Sequence, residues 1–389
     1  MELLESPIRR YAWGSRTAIA TLQGRPAPTA DPEAELWMGA HPASPSRLSV
    51  SGSSLVDAIA ADPVALLGES RVERFGPRLP FLLKVLAAAQ PLSLQAHPDL
   101  RQARERFAAG HASYVDAWHK PEMLVAVTDF DALCGFRDPA ETARDLSALA
   151  VPRLKSTIDA LRRPDPAEAL HDAVRGLLTH PDAELVDDVV AACRPRIREH
   201  SSYALAVELA QQYPGDAGVI VAMLLNRVRL RPTEAVWMPA GNLHAYLKGV
   251  GVEIMATSDN VLRGGLTSKH VDVDELLRVL RFEVLTDPVT RPVELAPGLT
   301  AYPAPIQDFV LHRAVVGADA SAVRLPGGGP RIVLCLSGSV RVDDGVVPVT
   351  LASGQAAFAP DARPALSVSG HGEVYQASTP SAQAVDPLG

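Results

Sequence analysis

Hydrophobic and polar positions divide the chain into three kinds of pattern. From 1 to 137, short apolar runs alternate with Pro, Gly and Ser, which predicts strands and turns with occasional helices. The longest run, Phe81-Leu-Leu-Lys-Val-Leu-Ala-Ala88, reads as a buried strand, and so does Met123-Leu-Val-Ala-Val-Thr128. Over 54–67, Leu55, Ile59 and Leu66 fall on one side of a helix, and 99–109 is charged with helical spacing. At Asp138 the period changes. Asp138-Pro-Ala-Glu141 offers an N-cap, a proline for the first helical position and an acid in the first turn. From 140 to 230, Ala, Leu and Arg recur at three-to-four spacing, broken at Pro152, Pro164 and Pro195, which predicts several helices forming an inserted unit. Strand patterns return at Ala235-Val-Trp-Met238 and over 246–256, followed by a short helix over 272–280. Beyond 291, strands recur at close spacing, with a hairpin turning at Asp343-Asp-Gly345. The chain reads as mainly β with an α-helical insertion. Its units are a discontinuous one over 1–137 and 231–290, a helical one over 138–230, and a β unit over 291–389.

Composition narrows the classes of function. The 389 residues exceed one typical core. A net charge of −8 argues against a general nucleic-acid or membrane-surface binder, so an anionic substrate would be held by local Lys and Arg. Cys134, Cys193 and Cys335 are few and far apart, which excludes a disulfide framework and a thiolate zinc site. Met1-Glu-Leu-Leu-Glu5 is no signal peptide, and no apolar run is long enough to cross a bilayer, so the expectation is a cytoplasmic protein.

Candidate chemistry gathers in four places. Lys84 interrupts an apolar strand, where an unpaired ammonium is costly. Gln95 and His97 stand two apart, which puts both on one face of a strand. Pro121 disfavours helix at Lys120, so His119-Lys-Pro-Glu122 is extended and Glu122 opens a strand. Alone, Gln95 and His97 read more readily as a hydrogen-bonded pair at a strand end, and His119, Lys120 and Glu122 read fairly as a strand-edge charge cluster. Pro239-Ala-Gly-Asn-Leu-His244 carries the Pro-x-Gly-x-x-His half-motif that closes a cupin barrel and sets a metal-binding histidine inside it. Gln95, His97, Glu122 and His244 then make four nitrogen and oxygen ligands suited to a divalent transition metal. Arg263 sits in a turn-rich loop ahead of Gly264 and Gly265, two glycines expected to admit close approach of backbone and substrate. Gly354-Gln-Ala-Ala-Phe-Ala-Pro360 repeats the glycine and proline of a cupin barrel without the histidine, which predicts a structural second barrel.

At this point the chain resembles the type I mannose-6-phosphate isomerase family. The matching blocks are Tyr11-Ala-Trp-Gly-Ser15, Ala34-Glu-Leu-Trp-Met-Gly-Ala-His-Pro42, 79–99, His119-Lys-Pro-Glu122, His244-Ala-Tyr246 and Ser258-Asp-Asn-Val-Leu-Arg-Gly-Gly-Leu-Thr267, so the likeness covers essentially the whole chain. The resemblance implies two cupin-type jelly-roll β-barrels plus a helical domain. It also implies one Zn²⁺ held by Gln95, His97, Glu122 and His244. Around the ion it implies catalytic roles among Arg263, His119, Lys120, Lys84 and Asp259, and substrate contacts from Ser93, Lys84, Lys120, Glu253 and Arg263. The implied reaction interconverts mannose 6-phosphate and fructose 6-phosphate through an enediolate, in a monomer without nucleic-acid or membrane partners. Two competing readings are an Fe(II) oxygenase built on two His and one Glu, which Gln95 and the Lys–Arg set oppose, and a non-catalytic sugar-binding cupin, which needs fewer polar groups than are gathered here.

Overall fold

A computed structural model describes residues 1–318 and 320–380. Two antiparallel sheets pack face to face, and a group of helices covers the strands Gln95–Ala96, Phe130–Phe136 and Leu262–Arg263 that branch from the first. Helix makes up 27% and strand 31%, so the architecture is mixed rather than mainly β. The difference comes from the inserted unit and from three short helices, Leu55–Ala61, Pro63–Leu67 and Glu69–Phe75. The first two correspond to the single helix expected over 54–67. Asp62 breaks it, because its carboxylate caps Ala65 N–H and Pro63 takes the first helical position of the next helix.

The first sheet runs in the order Val289–Thr290, Ala235–Met238, Glu122–Ala126, His244–Ala256, Phe81–Ala88, Glu35–Gly39 and Ile8–Arg9. Its long strand His244–Ala256 serves two sets of partners. Residues 249–256 lie between Phe81–Ala88 and Glu122–Ala126, whereas 244–248 pair with Gln95–Ala96 and Phe130–Phe136. The exchange happens at Gly249, whose φ is +135° and where a Cβ would stand 2.6 Å from the Phe130 ring. Only glycine fits this turn of the strand.

Strand parity decides which residues face the site. Directly opposed residues share a face, so Trp37, Lys84 and Glu253 form one row, and Leu82, Met255 and Glu122 the next row on the same face. The alternate residues Leu36, Leu83, Val85, Ile254 and Met123 point the other way. They build a core with Ile332, Leu334, Phe358, Tyr375 and Ala377 of the second sheet.

The second sheet is ordered Val293–Ala296, Leu299–Tyr302, Val310–Val316, Ser367–Ser378, Arg331–Asp343, Ala356–Ala359, Glu2–Glu5 and Arg47–Leu48. The chain's first strand, Glu2–Glu5, thus covers the edge of Ala356–Ala359 instead of joining the first sheet. Neither sheet closes on itself.

The N-cap reading at Asp138 holds. Asp138 caps Pro139–Ala148 by accepting from Glu141 N–H at 2.9 Å. The helical unit's run of helices, expected to reach about 230, stops short of that point. Its last helix is Gly218–Met223, and Leu225–Leu230 is a strand on Phe130–Phe136, a period-two segment concealed in a Leu- and Arg-rich window. The helices share one core with Leu94, Ala96, Ala245 and Leu262. That packing orients the alternate positions Gln95, His244 and Arg263 toward the site, and the ladder sets these three side by side: His244 opposes Gln95, which opposes Arg263.

Candidate metal centre

His97, Glu122 and His244 converge from three separate segments, each buried, with ligand atoms all within 4.8 Å of one another. His97 Nε2 lies 3.5 Å from Glu122 Oε1, and His244 Nε2 lies 3.3 Å from Glu122 Oε2. A tetrahedral ion with bonds of about 2.0–2.1 Å separates its donors by about 3.3 Å. Backbone carbonyls orient both rings. His97 Nδ1 meets Asn260 O at 2.7 Å and His244 Nδ1 meets Asn242 O at 3.0 Å. A carbonyl only accepts, so each Nδ1 carries the proton and each Nε2 offers its lone pair inward. Burial pulls the His97 pKa down to about 4, against the pull of Glu122, so its ring is neutral at working pH. Its Nε2 is buried without a hydrogen-bond partner among the described residues. An orphaned lone pair, a neighbouring imidazole and a carboxylate at these spacings fit a divalent zinc-type ion.

Glu122 is buried too, and burial alone would raise its pKa. The Lys120 ammonium, 3.1 Å from Oε1, instead holds it well below the usual carboxylate range. His244 owes its place to the turn before it. Gly241 has φ +79°, and a Cβ there would meet Val279 O at 2.8 Å and Arg281 Cγ at 2.7 Å.

A cavity of about 440 Å³ adjoins this cluster. Its walls include Ser93, Gln95, Lys84, Lys120, Asp259 and Arg263, so six of the residues singled out in the sequence share one space. Lys84 Nζ lies 3.0 Å from Glu253 and 3.4 Å from Glu35. Burial would lower its pKa, but the two carboxylates raise it, so the ammonium stays protonated. Burial pushes Glu253 up in turn. Arg263 has no ion-pair or side-chain hydrogen-bond partner among the described residues, and burial lowers its pKa. Asp259 does not pair with it. Its Oδ1 takes a contact from His41 Nε2 at 3.3 Å, and that contact holds the carboxylate below its ordinary value. Ala43 N–H donates to His41 Nδ1, so the proton of the neutral ring is on Nε2, facing Asp259.

Two expectations need correction. His119 does not join the site. Period two puts it on the face opposite Lys120 and Glu122, and its Nε2 meets Asp308 at 2.9 Å in the segment leading to Val310–Val316. Gly264 and Gly265 serve packing rather than substrate approach. Gly265 has φ +118°, and a Cβ on it would stand 2.6 Å from Gly218 Cα at the start of the helix Gly218–Met223.

Other contributors carried no usable signal. The Asn260 carbonyl is a backbone group. Tyr213 comes from the helical unit, lines the cavity, and donates its hydroxyl to Pro91 O at 3.0 Å. Trp37 and His41 meet edge-on at 4.8 Å between ring centroids, and Trp37 Nε1 donates to Glu35.

The histidines predict a pH dependence of stability for the metal-free protein. His312, buried in the second sheet, is also held down to about 4 by burial. Below the ordinary value of 6.5, the unfolded chain takes up protons that these two folded imidazoles refuse. Stability therefore falls as pH drops from 6.5 toward 4, by about 1.4 kcal/mol per pH unit for each imidazole. Urea unfolding of metal-free protein at several pH values should show this loss, and His312→Leu should halve it. A stability that holds level or rises on acidification would contradict the assignment.

A family model for the phosphomannose isomerase type I catalytic domain matches residues 1–139. Mannose-6-phosphate isomerase of Escherichia coli (strain K12) is 35% identical, over 96% of this chain and 98% of that protein. Mannose-6-phosphate isomerase 1 of Arabidopsis thaliana is 33% identical, over 92% and 88%. A crystal structure of an alanine variant of phosphomannose isomerase from Salmonella typhimurium superposes with a TM-score of 0.89, at 35% identity and over 97% and 99% of the two chains. A mannose 6-phosphate isomerase structure bound with zinc and yttrium gives 0.88, at 34% identity and over 98% and 100%. With the fold, the metal-type cluster and the cationic cavity already placed, this agreement along nearly the full length shows that the chain belongs to the type I mannose-6-phosphate isomerase family.

Proposed function

We propose that the protein is a zinc-dependent isomerase that interconverts mannose 6-phosphate and fructose 6-phosphate through an enediolate. The observation that carries this reading is the orphaned, tautomer-fixed His97 Nε2 set against Glu122 and His244 at metal-ligand spacing, next to a cavity walled by cations. Gln95, His97, Glu122 and His244 would hold one Zn²⁺ per chain. When bound, the ion supplies a Lewis-acid charge for the substrate oxygens.

The chain's own groups supply the rest. Asp259, kept ionised by His41 and 53% exposed, takes the proton from C2 of the open-chain sugar and returns it at C1, while the O2 hydroxyl proton passes to O1. Arg263 faces the developing negative charge as a donor that stays charged at working pH. Lys84 and Lys120 offer ammonium groups and Ser93 a hydroxyl to the sugar phosphate, while Glu253 holds Lys84 in place. Lys84 is protonated and His119 is turned away, so neither serves as the base. We read the scaffold as two cupin-type jelly-roll units, 1–137 with 231–290 and 291–389, around the helical unit 138–230. The enzyme is read as a cytoplasmic monomer.

The test is turnover of mannose 6-phosphate in deuterated water. Fructose 6-phosphate should form with deuterium at C1, and mannose 6-phosphate re-formed by the reverse reaction should carry it at C2, because a proton on half-exposed Asp259 exchanges with solvent. A zinc-loaded protein that forms no fructose 6-phosphate would overturn the isomerase reading. Sustained turnover with no deuterium in either position would overturn the enediolate route through Asp259 and indicate a hydride shift.

A further inference from the structure

Two segments that carry Lys120, Glu122, Asp259 and Arg263, 116–122 and 258–263, are joined by the Asp116 side chain. The Asp116 carboxylate accepts from Trp118 N–H at 2.8 Å and from Asp259 N–H at 2.9 Å, and Ser258 Oγ lies 2.9 Å from Oδ1 and 3.1 Å from Oδ2. Asn260, fully buried beside it, completes the joint. Its Oδ1 accepts from Val115 N–H at 2.9 Å, and its Nδ2 donates to Trp118 O at 2.8 Å and to Asp116 O at 2.9 Å.

The backbone fixed in this way does three things. The Asn260 carbonyl is the group that holds the proton on His97 Nδ1. Asp259 is the residue whose own N–H is tied to Asp116. Trp118, held at both its N–H and its C=O, stands two positions before Lys120 and four before Glu122. We infer that Asp116 is a positioning residue for the metal centre: through Asn260 and Ser258 it sets the orientation and tautomer of His97 and the place of Asp259, without touching ion or substrate. This rests on the proposed metal-site reading and extends it to a residue outside the cavity wall that bears the catalytic groups.

Partners that orient metal-ligating imidazoles are typically worth about 10–100-fold in metal affinity. Zinc affinity measured by chelator competition on the full-length protein should therefore weaken about 10–100-fold in Asp116→Ala. Asp116→Asn keeps one acceptor oxygen and should fall between it and wild type. As a control, Asp138→Ala removes the N-cap of Pro139–Ala148 and should lower the metal-free melting temperature while leaving zinc affinity at the wild-type value. If Asp116→Ala does not fold, Asp116→Asn and Ser258→Ala are read alone, each with a smaller loss of affinity. Asp116 variants that bind zinc as tightly as wild type, whatever their melting temperature, would reduce Asp116 to a structural clip and overturn the inference. A wild-type protein that binds no zinc would instead overturn the metal reading, and the inference with it.

Discussion

Alanine at position 97 should leave the protein without its metal and lower kcat/KM by at least about 10³-fold. Two physical facts set that size. His97 supplies one of only two imidazole lone pairs in the cluster, and its Nε2 is already oriented by the bond from Nδ1 to Asn260 O. A Lewis-acid ion contributes several kcal/mol of charge stabilisation, and each 1.36 kcal/mol is a factor of ten in rate. Removing the ring also leaves Glu122 and Lys120 as a buried pair facing a gap, so extra zinc should not restore the rate. Metal analysis and an isomerase assay on the same preparation check both halves. A His97→Ala protein that retained one zinc per chain and wild-type turnover would rule out the ligand assignment.

Arg263→Ala should lower kcat by about 10²–10³-fold with KM changed little. The guanidinium lies in the cavity wall on the same ladder row as Gln95 and His244, and no carboxylate among the described residues claims it. It is therefore free to meet charge that appears during the reaction. The lysines differ, because each is already paired, Lys84 with Glu253 and Glu35 and Lys120 with Glu122. An ion that loses its partner only in the transition state contributes less there than one that has none to lose. Arg263→Lys should recover little, since an ammonium lacks the planar fork that spans two oxygens. Steady-state kinetics decide the matter. A variant whose KM rises steeply while kcat holds would assign Arg263 to uniform substrate binding.

The parts of this site legible in the sequence were those fixed by local rules. Glu122 had to open a strand because Pro121 forbids helix before it, and it does. His244 had to follow a glycine turn, and Gly241 has the positive φ that the turn needs. Gln95 and His97 were placed together by strand parity, although the strand itself is only Gln95–Ala96 and His97 lies just past its end. The same parity rule separates His119 from Lys120, yet their adjacency in the motif grouped them. What stayed hidden depends on tertiary neighbours. Gly265 reads as a substrate-approach glycine until Gly218 of a distant helix is found against it. That His41, rather than a cation, is what meets Asp259 depends on a segment distant in sequence. Leu225–Leu230 reads as helix because its composition matches the insert, while Phe130–Phe136 supplies the ladder that makes it a strand.

The most direct test of the account is a zinc titration of the metal-stripped enzyme, with mannose 6-phosphate isomerisation followed at each addition. Activity should be absent at the start, rise in proportion to added zinc, and level off at one equivalent per chain. Full turnover by the stripped protein, or one equivalent of bound zinc with no gain in turnover, would contradict it.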